Sequence, residues 1–301
     1  MSTLFANVDA MNRNGSITEV VRDVIQEGAK FRDAPRQRFK YLSVSYNQRI
    51  RPSLRFAYSL PTEDLRALFE ASAQLAFYAN LYEGLRGQEY VDDMEVSYLA
   101  LKARHQLKES DVDAMRTAFE SYRDFRRAEA LMPNAGKTDL QGINENVVLL
   151  EQGRIEKGSR RVIIFDESKG KFAPAFQHIN AGLQIIVISG CHFASDAAFS
   201  IDSDKEISSA FNKANAIWIA SGDTQLISSD FLNWKTDHPR QPLKVAFDNA
   251  DWPEIEFYSI PRFYFFKAGK LFAIINGWNS HQENLSEIRK VIRSKEFSDL
   301  G

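Results

Sequence analysis

Cys191 is the residue of this chain best equipped for nucleophilic or redox chemistry, and it is the only cysteine among 301 residues. It closes the apolar run Leu183-Gln-Ile-Ile-Val-Ile-Ser-Gly-Cys191 and is followed by His192, Phe193 and Ala194. Such a run reads as a strand that ends in a short loop before a helix. The thiolate is the attacking form of cysteine, and the partial positive charge and free N–H groups of a helix N-terminus favour it. His192 can add positive charge or relay a proton, and Phe193 can shield one side. With no second cysteine the chain cannot close an internal disulfide. Any redox step must therefore use a partner's sulfur or a small thiol. The rival reading of Cys191 is a small buried hydrophobe.

A second group lies further along, in Ser259-Ile-Pro-Arg-Phe-Tyr-Phe-Phe-Lys-Ala-Gly-Lys270. Here Pro261 leads into an apolar strand that closes on a turn. An Xaa-Pro bond tolerates the cis isomer at modest cost. Arg262, the next residue, can supply a cation.

Other chemistries are poorly represented. The five histidines (His105, His178, His192, His238, His281) show no metal-ligand spacing. Gly136-Lys137-Thr138 has Leu131 where a phosphate loop requires glycine. No Gly-x-Ser-x-Gly elbow or dinucleotide fingerprint occurs, so neither a metal nor a cofactor is expected. Asp196, Asp202 and Asp204 read as helix caps or solvated residues rather than a carboxylate pair.

The elements that position Cys191 and Pro261 belong to the second half of the chain. Val147–Leu150, Arg161–Phe165, Leu183–Ser189, Ala216–Ala220, Lys244–Phe247 and Arg262–Lys267 are short runs rich in Val, Ile and Phe. Helical segments such as Lys205–Ala214 and Leu285–Ser294 separate them. This alternation predicts an α/β sheet with part of its pairing parallel. Phe263–Lys267 and Leu271–Ile275 form a hairpin around Ala268-Gly269-Lys270.

The first part, residues 1 to about 140, reads as an all-α module. Ser16-Ile-Thr-Glu19 has capping-box spacing ahead of Val20, Val21, Val24 and Ile25. Thr62 caps a second helix whose stripe is Leu65, Leu68, Phe69, Leu75 and Ala76. A third covers 90–105, and a fourth starts at Glu109 and carries Met115, Phe119, Tyr122 and Phe125. Phe77–Glu83 and Ala118–Ala130 look like tetratricopeptide-type helix pairs, but no two stretches align at that period, so a bundle is the reading. Leu131–Asp139, with Pro, Asn and Gly, is the linker. The domains are thus 1–140, helical and suited to partner binding, and 141–301.

A net charge of −2, from 38 basic and 40 acidic side chains, gives no reason to expect nucleic acid or an anionic membrane. The clusters Arg49–Arg55, Arg123–Arg127 and Arg154–Arg161 read as solvated faces. No apolar stretch is long enough to span a membrane. No secretory signal is visible, so the sequence as it stands reads as cytoplasmic, and as exported if a leader has been removed.

The order from 183 onward is strand, cysteine loop, helix, strand, helix, proline and strand, hairpin, helix. Together with Cys191, Ile260-Pro261 and the Lys267–Lys270 turn followed by Gly277-Trp278, it resembles the thioredoxin superfamily over about residues 160–295. The likeness extends to larger thioredoxin-like proteins with helical N-terminal extensions. It implies a mixed sheet flanked by helices, with Cys191 as nucleophile, His192 as its modulator, and Phe193, Ile260, Pro261 and Arg262 binding substrate. A cis Ile260-Pro261 bond would offer Ile260's backbone groups to an extended peptide.

One departure matters. Ala194 stands where the family's resolving cysteine would be. Three readings follow: a monothiol oxidoreductase exchanging with a protein or peptide disulfide or with glutathione, a one-cysteine peroxidase, or a fold kept without the chemistry. Ile188, where peroxiredoxins carry threonine, weakens the second. The first is the expectation. The alternative is a non-catalytic binding platform or adaptor.

Overall fold

The computed structural model describes residues 16–131, 158–179, 182–190, 192–258, 260–278 and 281–298. The described residues fall into two compact units that divide between Leu131 and Met132. The linker residues 132–139, the expected strand Val147–Leu150 and Cys191 itself lie outside the described residues.

The first unit is helical throughout. Helix α1 (Ile17–Gly28) opens on the expected capping box. Ser16 Oγ accepts from Glu19 N at 3.2 Å, and Ser16 N donates to Glu19 Oε2 at 3.1 Å. Helix α2 (Pro35–Ser45) runs into a π-helical turn (Tyr46–Ile50) and a 3-10 stretch (Arg51–Ser59). These turns were not legible because the segment is arginine-rich and α2 has no clean apolar stripe. Helix α3 (Thr62–Glu83) is the spine, with Leu65, Leu68, Phe69, Leu75 and Ala76 buried. Thr62 does not cap it: Pro61 holds the cap position without a side-chain bond. Asp64 is drawn instead to α1, accepting from Thr18 N at 2.9 Å and Thr18 Oγ1 at 2.8 Å.

Helices α4 (Gln88–Ala103), α5 (Glu109–Ser121) and α6 (Phe125–Ala130) complete the unit. Met115, Phe119, Tyr122 and Phe125 are buried as the spacing implied. The helix breaks between them, at Arg123 with φ 65°, and Asp124 caps α6 by accepting from Arg127 N at 3.0 Å. The arginine clusters are not plain solvated faces. Arg123 is buried, Arg51 Nε lies 3.0 Å from Asp93 and Arg51 Nη1 2.6 Å from Glu89, and Arg127 bonds Glu95 at 2.7 Å. Glu89, Asp93 and Glu95 are distant in sequence from the arginines they meet, whereas Asp124, 2.5 Å from Arg127 Nε, is a local partner.

The second unit is mixed α/β. Its seven strands are β1 (Ser159–Asp166), β2 (Lys171–His178), β3 (Leu183–Ser189), β4 (Ile217–Ala220), β5 (Leu243–Ala246), β6 (Arg262–Lys267) and β7 (Lys270–Asn276). They lie in the order β2-β1-β5-β4-β3-β6-β7. β3 with β4 and β4 with β5 are parallel, and the other pairs are antiparallel. Parallel central strands need crossovers, which are supplied by α7 (His192–Ser203) with α8 (Lys205–Lys213), and by α9 (Ser228–Asp237). Helices α10 (His281–Ile292) and α11 (Lys295–Ser298) follow the sheet.

The core is built by periodicity. Ile185 and Val187 of β3, Trp218 of β4, and Phe263 and Phe265 of β6 meet Ala194, Ala197, Ala198 and Ile201 of α7, Phe211 of α8 and Ile288 of α10. β3 is buried along its whole length, which is why Ile185–Ile188 are apolar without alternation; Gln184 and Ser189 are its buried polar residues. The β6–β7 turn is Ala268 and Gly269, at φ 51° and 72°, the left-handed pair that suits a two-residue hairpin. Asp204 caps α8, accepting from Ile207 N at 3.0 Å. No helix among the described residues is long and apolar enough to cross a membrane.

Candidate functional site

The thiol segment is framed by what ends β3 and what starts α7. Antiparallel register sets Ile188 of β3 opposite Arg262 of β6. Continued beyond the strands, that register brings Gly190 to Ile260. A Cβ on Gly190 would stand 3.1 Å from Ile260 Cδ1. Helix α7 begins at His192, so the backbone on either side of Cys191 is an exposed glycine and the first residue of a twelve-residue helix. Cys191 and Ser259 lie outside the described residues.

The predicted partners fall around this junction. The Ile260–Pro261 peptide is cis. Pro261 is buried, and its carbonyl accepts from Gly277 N at 2.9 Å, which ties the segment to the end of β7. Ile260 is half-buried and packs against the core beneath α7. His192 and Phe193 are both exposed, their ring centroids 4.0 Å apart. Ala194 is fully buried in the core. Arg262 does not stand as a free cation: its Nη1 is paired with Glu256, and its guanidinium lies 5.4 Å from the Tyr264 ring centroid.

Glu256 organises this side of the junction and has no signature in sequence. Its carboxylate accepts from Tyr258 Oη at 2.8 Å, and its backbone N–H donates to Tyr264 Oη at 2.8 Å. Burial, and then the bond to Glu256, push the Tyr258 phenol above its ordinary value. Only the fold brings Glu256, Tyr258, Arg262 and Tyr264 together.

A second relationship unseen in the sequence joins α7 to the residue after α9. Ser195 Oγ lies 2.9 Å from His238 Nε2. His238 is 3% exposed, and burial lowers its pKa below the ordinary histidine value. It is thus a histidine with a structural partner in the first turn of α7, and it belongs to no metal-binding cluster among the described residues.

No protein-family model matches the chain, and no curated protein sequence does. Among solved structures, the chain is similar to a thioredoxin-like protein from Bacteroides caccae ATCC 43185. The identity is 14%, the TM-score 0.31, and the match covers 88% of this chain and 87% of that one. At that score the likeness carries no argument about the site.

Proposed function

We propose that this chain is a thiol-dependent oxidoreductase of the thioredoxin-like type, acting through the single thiol of Cys191. One observation carries the reading: the end of β3, the start of α7 and the Ile260–Pro261 segment converge, with Gly190 against Ile260. A thiolate at the beginning of a twelve-residue helix sits among free N–H groups and the positive end of the helix dipole.

In the proposed step the Cys191 thiolate attacks one sulfur of a disulfide, either in a protein or peptide or in the disulfide form of a small thiol such as glutathione. A new S–S bond forms to Cys191, the old one breaks, and the second sulfur leaves as a thiolate that takes a proton from solvent or His192. Ala194 cannot resolve the mixed disulfide, so an external thiolate attacks it and restores Cys191. Phe193, Ile260 and Pro261 would hold the substrate chain. Arg262, already paired with Glu256, would fix the Glu256–Tyr258 side of the site rather than meet the sulfur. The helical unit would recruit or orient the partner.

A non-catalytic binding platform is the second reading. It is favoured by the exposure of Phe193, at the start of α7, and of Tyr258, two residues before Ile260, at 46% and 42%.

The deciding test is the pH dependence of Cys191 alkylation by iodoacetamide in the native chain, with Cys191→Ser as blank. An activated thiol reacts with a midpoint well below about 8.5, and Cys191→Ser abolishes mixed-disulfide trapping. Reaction only after unfolding would sink the oxidoreductase and leave the platform.

A further inference from the structure

The residues that follow α9 grip α7 at three successive levels. His238 Nε2 lies 2.9 Å from Ser195 Oγ in the first turn, and Gln241 Nε2 donates to the Ala198 carbonyl at 2.9 Å. Arg240 Nη2 stands 3.3 Å from both the carbonyl and the carboxylate of Asp202, near the last turn. His238 and Gln241 are buried, so two of the three grips are made out of water. The grip on Ser195 is the one at the thiol end of the helix.

His238 is itself firmly seated. Its backbone N–H donates to the Trp234 carbonyl at 2.7 Å, its carbonyl accepts from Gln241 N at 3.0 Å, and its ring lies 4.6 Å from that of Trp234. Asp237 and Asp202 are the charges that bear on it, and burial outweighs them, so the imidazole is neutral at pH 7.

A neutral imidazole carries one N–H and one lone pair. Nδ1 is buried and meets no hydrogen-bond partner among the described residues. Buried N–H groups are rarely left orphaned, so the proton belongs on Nε2, and His238 donates to Ser195 Oγ. Ser200 and Ser203, the other serines of α7, donate to the Asp196 and Phe199 carbonyls of their own helix, at 2.8 and 2.9 Å. Ser195 alone of the three is tied to another segment.

The level of this tie matters for the chemistry. A helix start favours a thiolate only while the N–H groups of its first turn stay aimed at the sulfur, and helix ends fray unless they are held.

We propose that His238 is a positioning residue for the thiol: through Ser195 it holds the first turn of α7 in the geometry that keeps Cys191 ionised. The proposal rests on the reading of Cys191 as an activated thiolate.

The test is the rate of Cys191 alkylation by iodoacetamide from pH 6.5 to 10 in the full chain. The unaltered protein is compared with Ser195→Ala, Ser195→Thr, His238→Phe and the double variant Ser195→Ala/His238→Phe. Phenylalanine keeps a ring beside Trp234 and has no donor. Ser195→Ala and His238→Phe should each raise the midpoint by about half a pH unit, leaving roughly threefold less thiolate at pH 7. The double variant should be no slower than either single one, as two residues acting through one bond require. Ser195→Thr keeps the hydroxyl and should react like the unaltered chain. Midpoints unmoved by Ser195→Ala, additive shifts in the double variant, or Ser195→Thr as slow as Ser195→Ala overturn the proposal. If His238→Phe does not fold, the alanine and threonine variants at 195 decide alone. A midpoint near the ordinary value of about 8.5 in the unaltered chain overturns the thiolate reading and this proposal together. An activated thiol indifferent to Ser195→Ala overturns the proposal only.

Discussion

Gly190 and Ile260 meet across the ends of β3 and β6 so closely that a Cβ at 190 would lie 3.1 Å from Ile260 Cδ1. The distance is tight, but the opposing atom is the end of a flexible side chain. Gly190 also sits at φ 157°, a backbone conformation that residues with a side chain rarely adopt, so Gly190→Ala should already cost about 1–3 kcal/mol through strain, and Gly190→Val should cost more through added overpacking. In an Ile260→Ala background the cost of Gly190→Val should fall. Urea unfolding of the four members of the double-mutant cycle measures the coupling. Additive effects would mean that the two residues do not meet.

Arg161 anchors the loop that leads to the junction. It reaches Asp251 through two bonds of 2.7 and 2.9 Å, lies 3.3 Å from Asp248, and sits 5.0 Å from the Phe247 ring centroid. Arg161→Met leaves two nearly buried carboxylates facing each other and should cost about 3–5 kcal/mol. Arg161→Lys cannot reproduce the fork and should recover only part of it. Denaturant midpoints of both variants check this.

Gly87 is fixed by packing. A Cβ there would stand 2.4 Å from Ala79 Cβ and 2.6 Å from Tyr122 Oη, whose hydroxyl donates to the Ala76 carbonyl at 2.7 Å. Ala79 is part of helix α3 and cannot rotate away. Gly87→Ala should destabilise the helical unit by about 1–3 kcal/mol, read as a lower thermal midpoint in circular dichroism.

His238 sets a pH dependence with a definite sign. Its folded-state pKa lies below the ordinary 6.5 because it is buried. Below 6.5 the unfolded chain takes up a proton that the folded chain refuses, so stability falls as pH drops through that range. The charges nearest to it, Asp237 and Asp202, oppose the shift without cancelling it. His238→Gln should flatten the decline just below 6.5 and leave the steeper acid limb, where carboxylates such as Asp204 protonate, in place. Urea midpoints from pH 7 to 4 for both chains give the comparison.

Periodicity made much of the sheet legible. Leu183–Ser189 and Arg262–Lys267 carry Ile185–Ile188 and Phe263–Phe266, four buried apolar or aromatic residues in succession, because both strands are paired on both sides, and each was readable to the residue. β2 was missed because Pro174 interrupts Lys171–His178, and proline in a run argues against a strand unless it lies at an edge. α9 was expected from the order of elements but could not be bounded, because only Phe231 of its ten residues is buried, so it shows no apolar stripe. At the junction, the Cys191 and Pro261 segments announced themselves by residue type and spacing. Glu256, Tyr258 and the Ser195–His238 bond did not, since each depends on a meeting that tertiary structure alone creates.

Pro174 bears on how the sheet meets other chains. β2 forms one margin of the seven strands, and a proline midway along it has no amide hydrogen to offer. A strand from another molecule that tried to lengthen the sheet on that side would find the row of donors broken at its centre. Proteins use such interruptions to prevent edge-to-edge aggregation. The opposite margin, β7, carries no proline between Lys270 and Asn276. Growth of the sheet by an added strand is thus disfavoured on one side only.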